Sequence, residues 1–185
     1  PLLGSTTLGY LEIVKYLVRS GAKLEVQNEK SRTPLSIASL GGHLIIVKYL
    51  VDSGADVNVK GRYYKTPLFD ACRKGYFEIV KYLVKSGAYV NVQNIFYETP
   101  LYVACRRGNF EIVKYLVDSG AYVNVRDKDY DTPLSGACRG GHLEIVKYLV
   151  DLGADVNVQN GFSSTPLFDA CEEGYLELVK YLVKT

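Results

Sequence analysis

The chain carries only two histidines, His43 and His142, which leaves little material for imidazole catalysis or a His-rich metal site. No Ser/His/Asp set, His-Glu-x-x-His helix, P-loop or Gly-x-Gly-x-x-Gly turn occurs. The apolar runs are short and interrupted by Lys and Tyr at helical spacing, so no membrane span is expected. The N-terminus shows no basic stretch followed by a long apolar one, hence no visible secretory leader. There is no Asn-x-Ser/Thr sequon either, which disfavours secretion. Charge of one sign is also lacking. Twenty-two basic residues against twenty acidic ones leave a net charge of +2, which gives no general pull toward nucleic acid or an anionic membrane.

What is present is a repeat. Thr-Pro-Leu begins at Thr33, Thr66, Thr99, Thr132 and Thr165, a strict period of 33 residues. Other columns keep the same period: Ala38, Ala71, Ala104, Ala137 and Ala170, then Gly42, Gly75, Gly108, Gly141 and Gly174. Glu-Ile-Val-Lys-Tyr-Leu-Val follows at 78–84, 111–117 and 144–150, and a Gly-Ala pair closes that stretch. A fixed period of this length marks stacked repeats, so function is expected on a repeated surface rather than in one pocket. The chain divides into six repeats forming one domain over 1–185. They run 1–32 (degenerate), 33–65, 66–98, 99–131, 132–164 and 165–185 (truncated). Both ends look like cuts through a longer array or like imperfect caps.

Each repeat reads as two helices. Thr caps the first helix by accepting from an orphan amide, and Pro at the next position has no N–H to lose. The spacing predicts helices over 67–74 and 77–85, with Gly75 and Gly87 as left-handed stops. Ile79, Val80, Leu83 and Val84 share one face, while Glu78 and Lys81 face water and can pair. The remaining stretch, about 89–98, reads as a turn or hairpin finger. The cysteines, Cys72, Cys105, Cys138 and Cys171, stand one repeat apart. A line of equivalent positions puts neighbours beyond the roughly 7 Å reach of a disulfide and builds no tetrahedral zinc site. They are expected to be buried, reduced thiols, which suits a cytoplasmic or nuclear protein.

The order Thr-Pro-Leu, Ala, Gly, Glu-Ile-Val-Lys-x-Leu, Gly-Ala, Val-Asn resembles the ankyrin repeat, and the resemblance covers essentially the whole chain. It implies an all-α repeat solenoid of helix-turn-helix units with β-hairpin fingers. The implied array is curved, with a concave face made by fingers and first helices. Two columns depart from the pattern. Ankyrin repeats usually have His after Thr-Pro-Leu, where this chain has Ser36, Phe69, Tyr102, Ser135 and Phe168. They usually have Gly at the finger tip, where this chain has Ser31, Tyr64, Tyr97, Tyr130 and Ser163. Tyr at positive φ costs about 1 kcal/mol or more, so altered finger tips are expected. The resemblance also assigns His43 and His142 to helix packing or capping.

The variable columns are the finger tips, the residues after Thr-Pro-Leu and the pair before the mid-repeat Gly. In ankyrin proteins these columns form the binding surface. Of sixteen tyrosines, only the column Tyr16, Tyr49, Tyr82, Tyr115, Tyr148 and Tyr181 belongs to the constant frame. Tyr63, Tyr64, Ile95, Phe96, Tyr97, Tyr130 and Phe162 fall on fingers, and Phe69, Tyr102 and Phe168 on first helices. Aromatic side chains on a rigid scaffold are typical anchors at protein interfaces. The alternative is that the first-helix aromatics pack against neighbouring fingers. A second column, Arg73-Lys74, Arg106-Arg107 and Arg139, then Glu172-Glu173, would align into a basic stripe able to receive an acidic segment of a partner. The alternative is a set of solvated helix ends favoured by the dipole. Finger acids Glu98, Asp127, Asp129 and Asp131 argue against nucleic acid. The column Asn58, Asn91, Asn124 and Asn157 reads as structural, its amides stabilising the turn.

The expected function is therefore a noncatalytic, cofactor-free module that binds a protein or peptide, acts as a monomer and works inside the cell. Two other readings remain at this level. One is an engineered binder or model array, against which the frame itself drifts at Ser39, Ile45 and Leu24-Glu25. The other is a regulatory or tethering segment of a larger protein.

Overall fold

The computed structural model describes residues 1–185 and is all-helical: twelve α-helices, one 3-10 turn and no strand. It divides into two compact units, Pro1–Tyr89 and Val90–Thr185. In the first unit, α1 (Leu2–Thr7), α3 (Pro34–Gly41) and α5 (Pro67–Lys74) are the first helices of three repeats. Their partners are α2 (Leu11–Arg19), α4 (Leu44–Asp52) and α6 (Phe77–Lys85). In the second unit, α7 (Pro100–Arg106), α9 (Pro133–Gly140) and α11 (Pro166–Glu172) pair with α8 (Phe110–Asp118), α10 (Leu143–Asp151) and α12 (Leu176–Leu182). Within each unit the first helices pack side by side in chain order.

Local chemistry sets the helix limits. Thr66 Oγ1 accepts from Phe69 N–H at 3.4 Å, and Pro67 follows as the first helical residue. At Thr132 the bond is reciprocal, because Ser135 Oγ also receives Thr132 N–H at 3.4 Å. Each such cap contributes about 1 kcal/mol. Gly75 closes α5 in the left-handed region (φ 78°), and Tyr76 N–H returns to the Ala71 carbonyl at 3.1 Å. In α6, Ile79, Val80 and Leu83 are buried, each side chain contributing about 1.5–3 kcal/mol through removal from water. Pairs at this i, i+3 spacing form at Glu12–Lys15, Glu144–Lys147 and Glu177–Lys180. Lys81 and Lys114 lie over the Phe77 and Phe110 rings.

The Asn column joins each repeat to the next. Asn91 Nδ2 donates to the Gly120 carbonyl at 2.9 Å, and its Oδ1 accepts from Tyr122 N–H at 2.9 Å. Asn58 makes the same pair of bonds to Gly87 and Tyr89. The role is structural, but it serves the following repeat's turn and not its own. Three cysteines are buried and free, whereas Cys171 is exposed, contrary to expectation. Burial pushes the Cys72, Cys105 and Cys138 thiols up, the last to about 12. The histidines pack between glycines. A Cβ on Gly108 would stand 2.5 Å from the His142 ring, and His43 fills the corresponding space beside Gly9 and Gly41.

Candidate functional site

The fingers are tight turns, each held by backbone bonds within the turn instead of a strand ladder. Asn94 N–H donates to the Glu98 carbonyl at 3.1 Å, and Asp127 N–H to the Asp131 carbonyl at 2.9 Å. The first residue of the turn holds the rest. Asn94 Oδ1 accepts from Phe96 N–H (2.8 Å) and Glu98 N–H (3.1 Å). Asn28, Asp127 and Asn160 repeat this double acceptance. A short polar side chain that captures its own following amides is a strong turn former. This column marks the finger start in the sequence, and its role was not anticipated.

The expectation of altered tips is overturned at every finger but the second. Ser31, Tyr64, Tyr97, Tyr130 and Ser163 all keep a left-handed backbone, with φ between 53° and 63°. At Ser31, Tyr97, Tyr130 and Ser163 the captured amides hold the turn strongly enough to carry the penalty of roughly 1–2 kcal/mol per tip. The second finger starts at Gly61 and has no such side chain. Its 3-10 turn places Tyr63 and Tyr64 both at positive φ. In the second unit neighbouring fingers are also bonded to each other: Lys128 N–H to the Phe96 carbonyl at 2.9 Å, and Gly161 N–H to the Asp129 carbonyl at 2.8 Å.

The predicted contact residues separate into groups. Ile95, Tyr97, Tyr130 and Phe162 are exposed on the second unit's fingers, and Tyr63 and Tyr64 on the first unit's. Phe96 is half-buried, with the Lys128 ammonium 5.0 Å from its ring centre. The first-helix aromatics require correction. Phe69 is 1 % exposed and Tyr102 3 %, so neither can anchor a partner from the surface of this fold. Tyr102 fits because Gly136 opposite has no Cβ, which would stand 3.2 Å from the ring. Burial, then the carboxylates of Asp131 and Asp127, push its phenol up to about 12. Phe168 remains exposed.

The basic column is likewise divided. Lys74, Arg106 and Arg107 are exposed. Arg139 is not a free cation: its guanidinium binds the buried carboxylate of Asp131 through both Nη atoms, and its Nε stands 3.4 Å from buried Asp169. Asn160 Nδ2 adds a bond to Asp131 at 2.9 Å, and Ser164 Oγ adds one to Asp169 at 2.8 Å. Arg73 meets Asp70 at 3.4 Å.

The model of the family described as ankyrin repeats (3 copies) matches residues 3–94 and 90–160. The chain belongs to the ankyrin-repeat family. Among curated proteins, none matches it. Ankyrin repeats are generally protein–protein interaction modules. No helix of this ankyrin chain is long and apolar enough to cross a membrane. Sequence reasoning also passed over Tyr89 and Tyr122, which stand exposed just after the Gly-Ala pairs of these ankyrin repeats. Each occupies a column that is otherwise charged, as at Lys23, Asp56 and Asp155, and that change of character was the available signal.

Proposed function

We propose that this ankyrin-repeat chain is a noncatalytic module that binds a partner protein through its finger tips, with Tyr97, Tyr130, Ile95 and Phe162 as the principal anchors in the second unit. One observation carries the reading. Tyrosine is held at positive φ on tips where glycine would be free of strain, and Tyr97 is 57 % exposed there. Neither helix packing nor turn formation calls for an aromatic ring at that position. Strain kept at an exposed aromatic residue supports contact with another molecule. Arg106 and Arg107 fit the role of steering cations for an acidic segment of that partner. Phe69, Tyr102 and Arg139 support the scaffold and are left out of the contact set.

The test is affinity capture followed by mass spectrometry. It compares the native chain with Tyr97→Gly/Tyr130→Gly/Phe162→Ala after circular dichroism shows equal helix content. Glycine suits the tip backbone, so this variant separates loss of contact from loss of fold. A protein held by the native chain and released by the variant supports the reading. Equal retention moves the contact surface away from the tips.

A further inference from the structure

The strongest unassigned feature lies within the first unit, where two fingers meet the first helices α3 and α5. A cavity of about 160 Å³ there is lined by Lys30, Arg32, Arg62, Lys65 and Arg73 with one carboxylate, Asp70. Five cations less one anion leave a formal local charge of +4.

These charges are not cancelled by the fold. Lys30, Arg32, Arg62 and Lys65 form no ion pair, and Arg73 has only the 3.4 Å contact with Asp70. Arg62 lies 4.7 Å from the Tyr63 ring centre and Lys65 5.3 Å from that of Phe69. Ring faces hold a cation in place without neutralising it. Arg73 Nε is buried and finds no acceptor within the protein, an unfavourable state that an incoming acceptor oxygen would relieve. Burial holds the Asp70 carboxyl above its usual range despite the pull of Arg73, Arg32 and Lys65. The second unit makes an instructive contrast. Two repeats on from Lys65 stands Asp131, and there Arg139 is bound by two buried carboxylates. The same architectural position is thus internally neutralised in one unit and left strongly positive in the other.

Small size, clustered guanidinium forks and uncompensated charge suit a compact, multiply charged anion with several acceptor oxygens. A carboxylate supplies one charge and two oxygens, whereas a phosphoryl monoester supplies nearly two charges and three. We propose that this cavity binds a phosphoryl monoester, the group carried by a phosphorylated serine or threonine of the partner. The identity of the carrier rests on the protein-binding reading above; the chemistry of the cavity does not.

The experiment is an amide-resolved NMR titration of the full chain with three probes: N-acetyl-O-phosphoserine N-methylamide, inorganic phosphate, and the unphosphorylated serine compound. The expected result is saturable shifts for the phosphoserine compound confined to 30–32, 61–65 and 70–73, with weaker binding of inorganic phosphate. Arg32→Gln should weaken the affinity about tenfold, by loss of a charge-assisted bond. Asp70→Asn should tighten it, an opposite sign that damaged folding would not produce. Linear shifts spread over the basic surface, or an equal response to the unphosphorylated compound, would overturn the site. Equal affinity for inorganic phosphate would overturn the side-chain origin and assign the cavity to the free anion. No partner enters the titration, so its failure leaves the finger-tip reading standing. Retention by the finger variant in the capture experiment leaves the cavity standing.

Discussion

Arg139 grips Asp131 with both prongs of its guanidinium: Nη2 stands 2.5 Å from Oδ1, and Nη1 binds Oδ2. The Asp131 side chain is 6 % exposed and that of Asp169, which meets Arg139 Nε, is 5 % exposed. Arg139→Ala would leave two carboxylates buried without their cation. We expect a loss of about 3 kcal/mol in urea unfolding, the low end of the cost of breaking a buried pair because Arg139 is partly exposed. A loss below about 1 kcal/mol would mean that water already screens the network.

The Asn column gives an internal control. Asn91 binds the following repeat's turn through two side-chain bonds, whereas no Gly-Ala turn occurs after Asn157 in residues 158–185. Asn91→Ala is expected to cost about 1–3 kcal/mol, and Asn157→Ala close to nothing. Parallel thermal melts decide this, and equal effects would contradict the clasp.

At the tips, Tyr97→Gly and Tyr130→Gly should each raise stability by about 0.5–1 kcal/mol. Relief of left-handed strain is partly offset by the greater freedom of glycine in the unfolded chain. Chemical denaturation provides the readout. A destabilised glycine variant would show that the Tyr side chain contributes packing that outweighs its strain.

Asp70 predicts a pH dependence. Its folded carboxyl titrates above the ordinary value of 3.8, chiefly through burial. Above 3.8 the unfolded state has already released its proton while the folded state still holds one, so stability falls as pH rises through that window. Asp70→Asn removes this loss. It should be more stable than the native chain at pH 7, and the gap should close as pH is lowered below 3.8, measured by urea unfolding across pH. A gap independent of pH would contradict the assignment.

The helices were legible because their limits are local. Thr66, Pro67 and Gly75 settle α5 among themselves, and the predicted limits 67–74 and 77–85 match the structure. The tips were not, because their conformation depends on a capture four residues long. The missing glycine at Tyr97 pointed to change, while Asn94 at the turn start preserved the geometry. Exposure of the first-helix aromatics was also out of reach. Tyr102 is buried because Gly136, one repeat on, leaves room for its ring. Arg139 looked like a stripe cation, yet its partners Asp131 and Asp169 come from two different repeats.

We propose that the finger tips of this ankyrin-repeat chain touch a partner protein. Site-directed photo-crosslinking in cells tests it most directly, with p-benzoylphenylalanine replacing either Tyr97 or Tyr16. Tyr16, on the second helix α2, is 71 % exposed against 57 % for Tyr97, so accessibility alone would favour position 16. The account predicts a discrete protein adduct from position 97 and none from position 16. An adduct from position 16 with none from position 97 would contradict it.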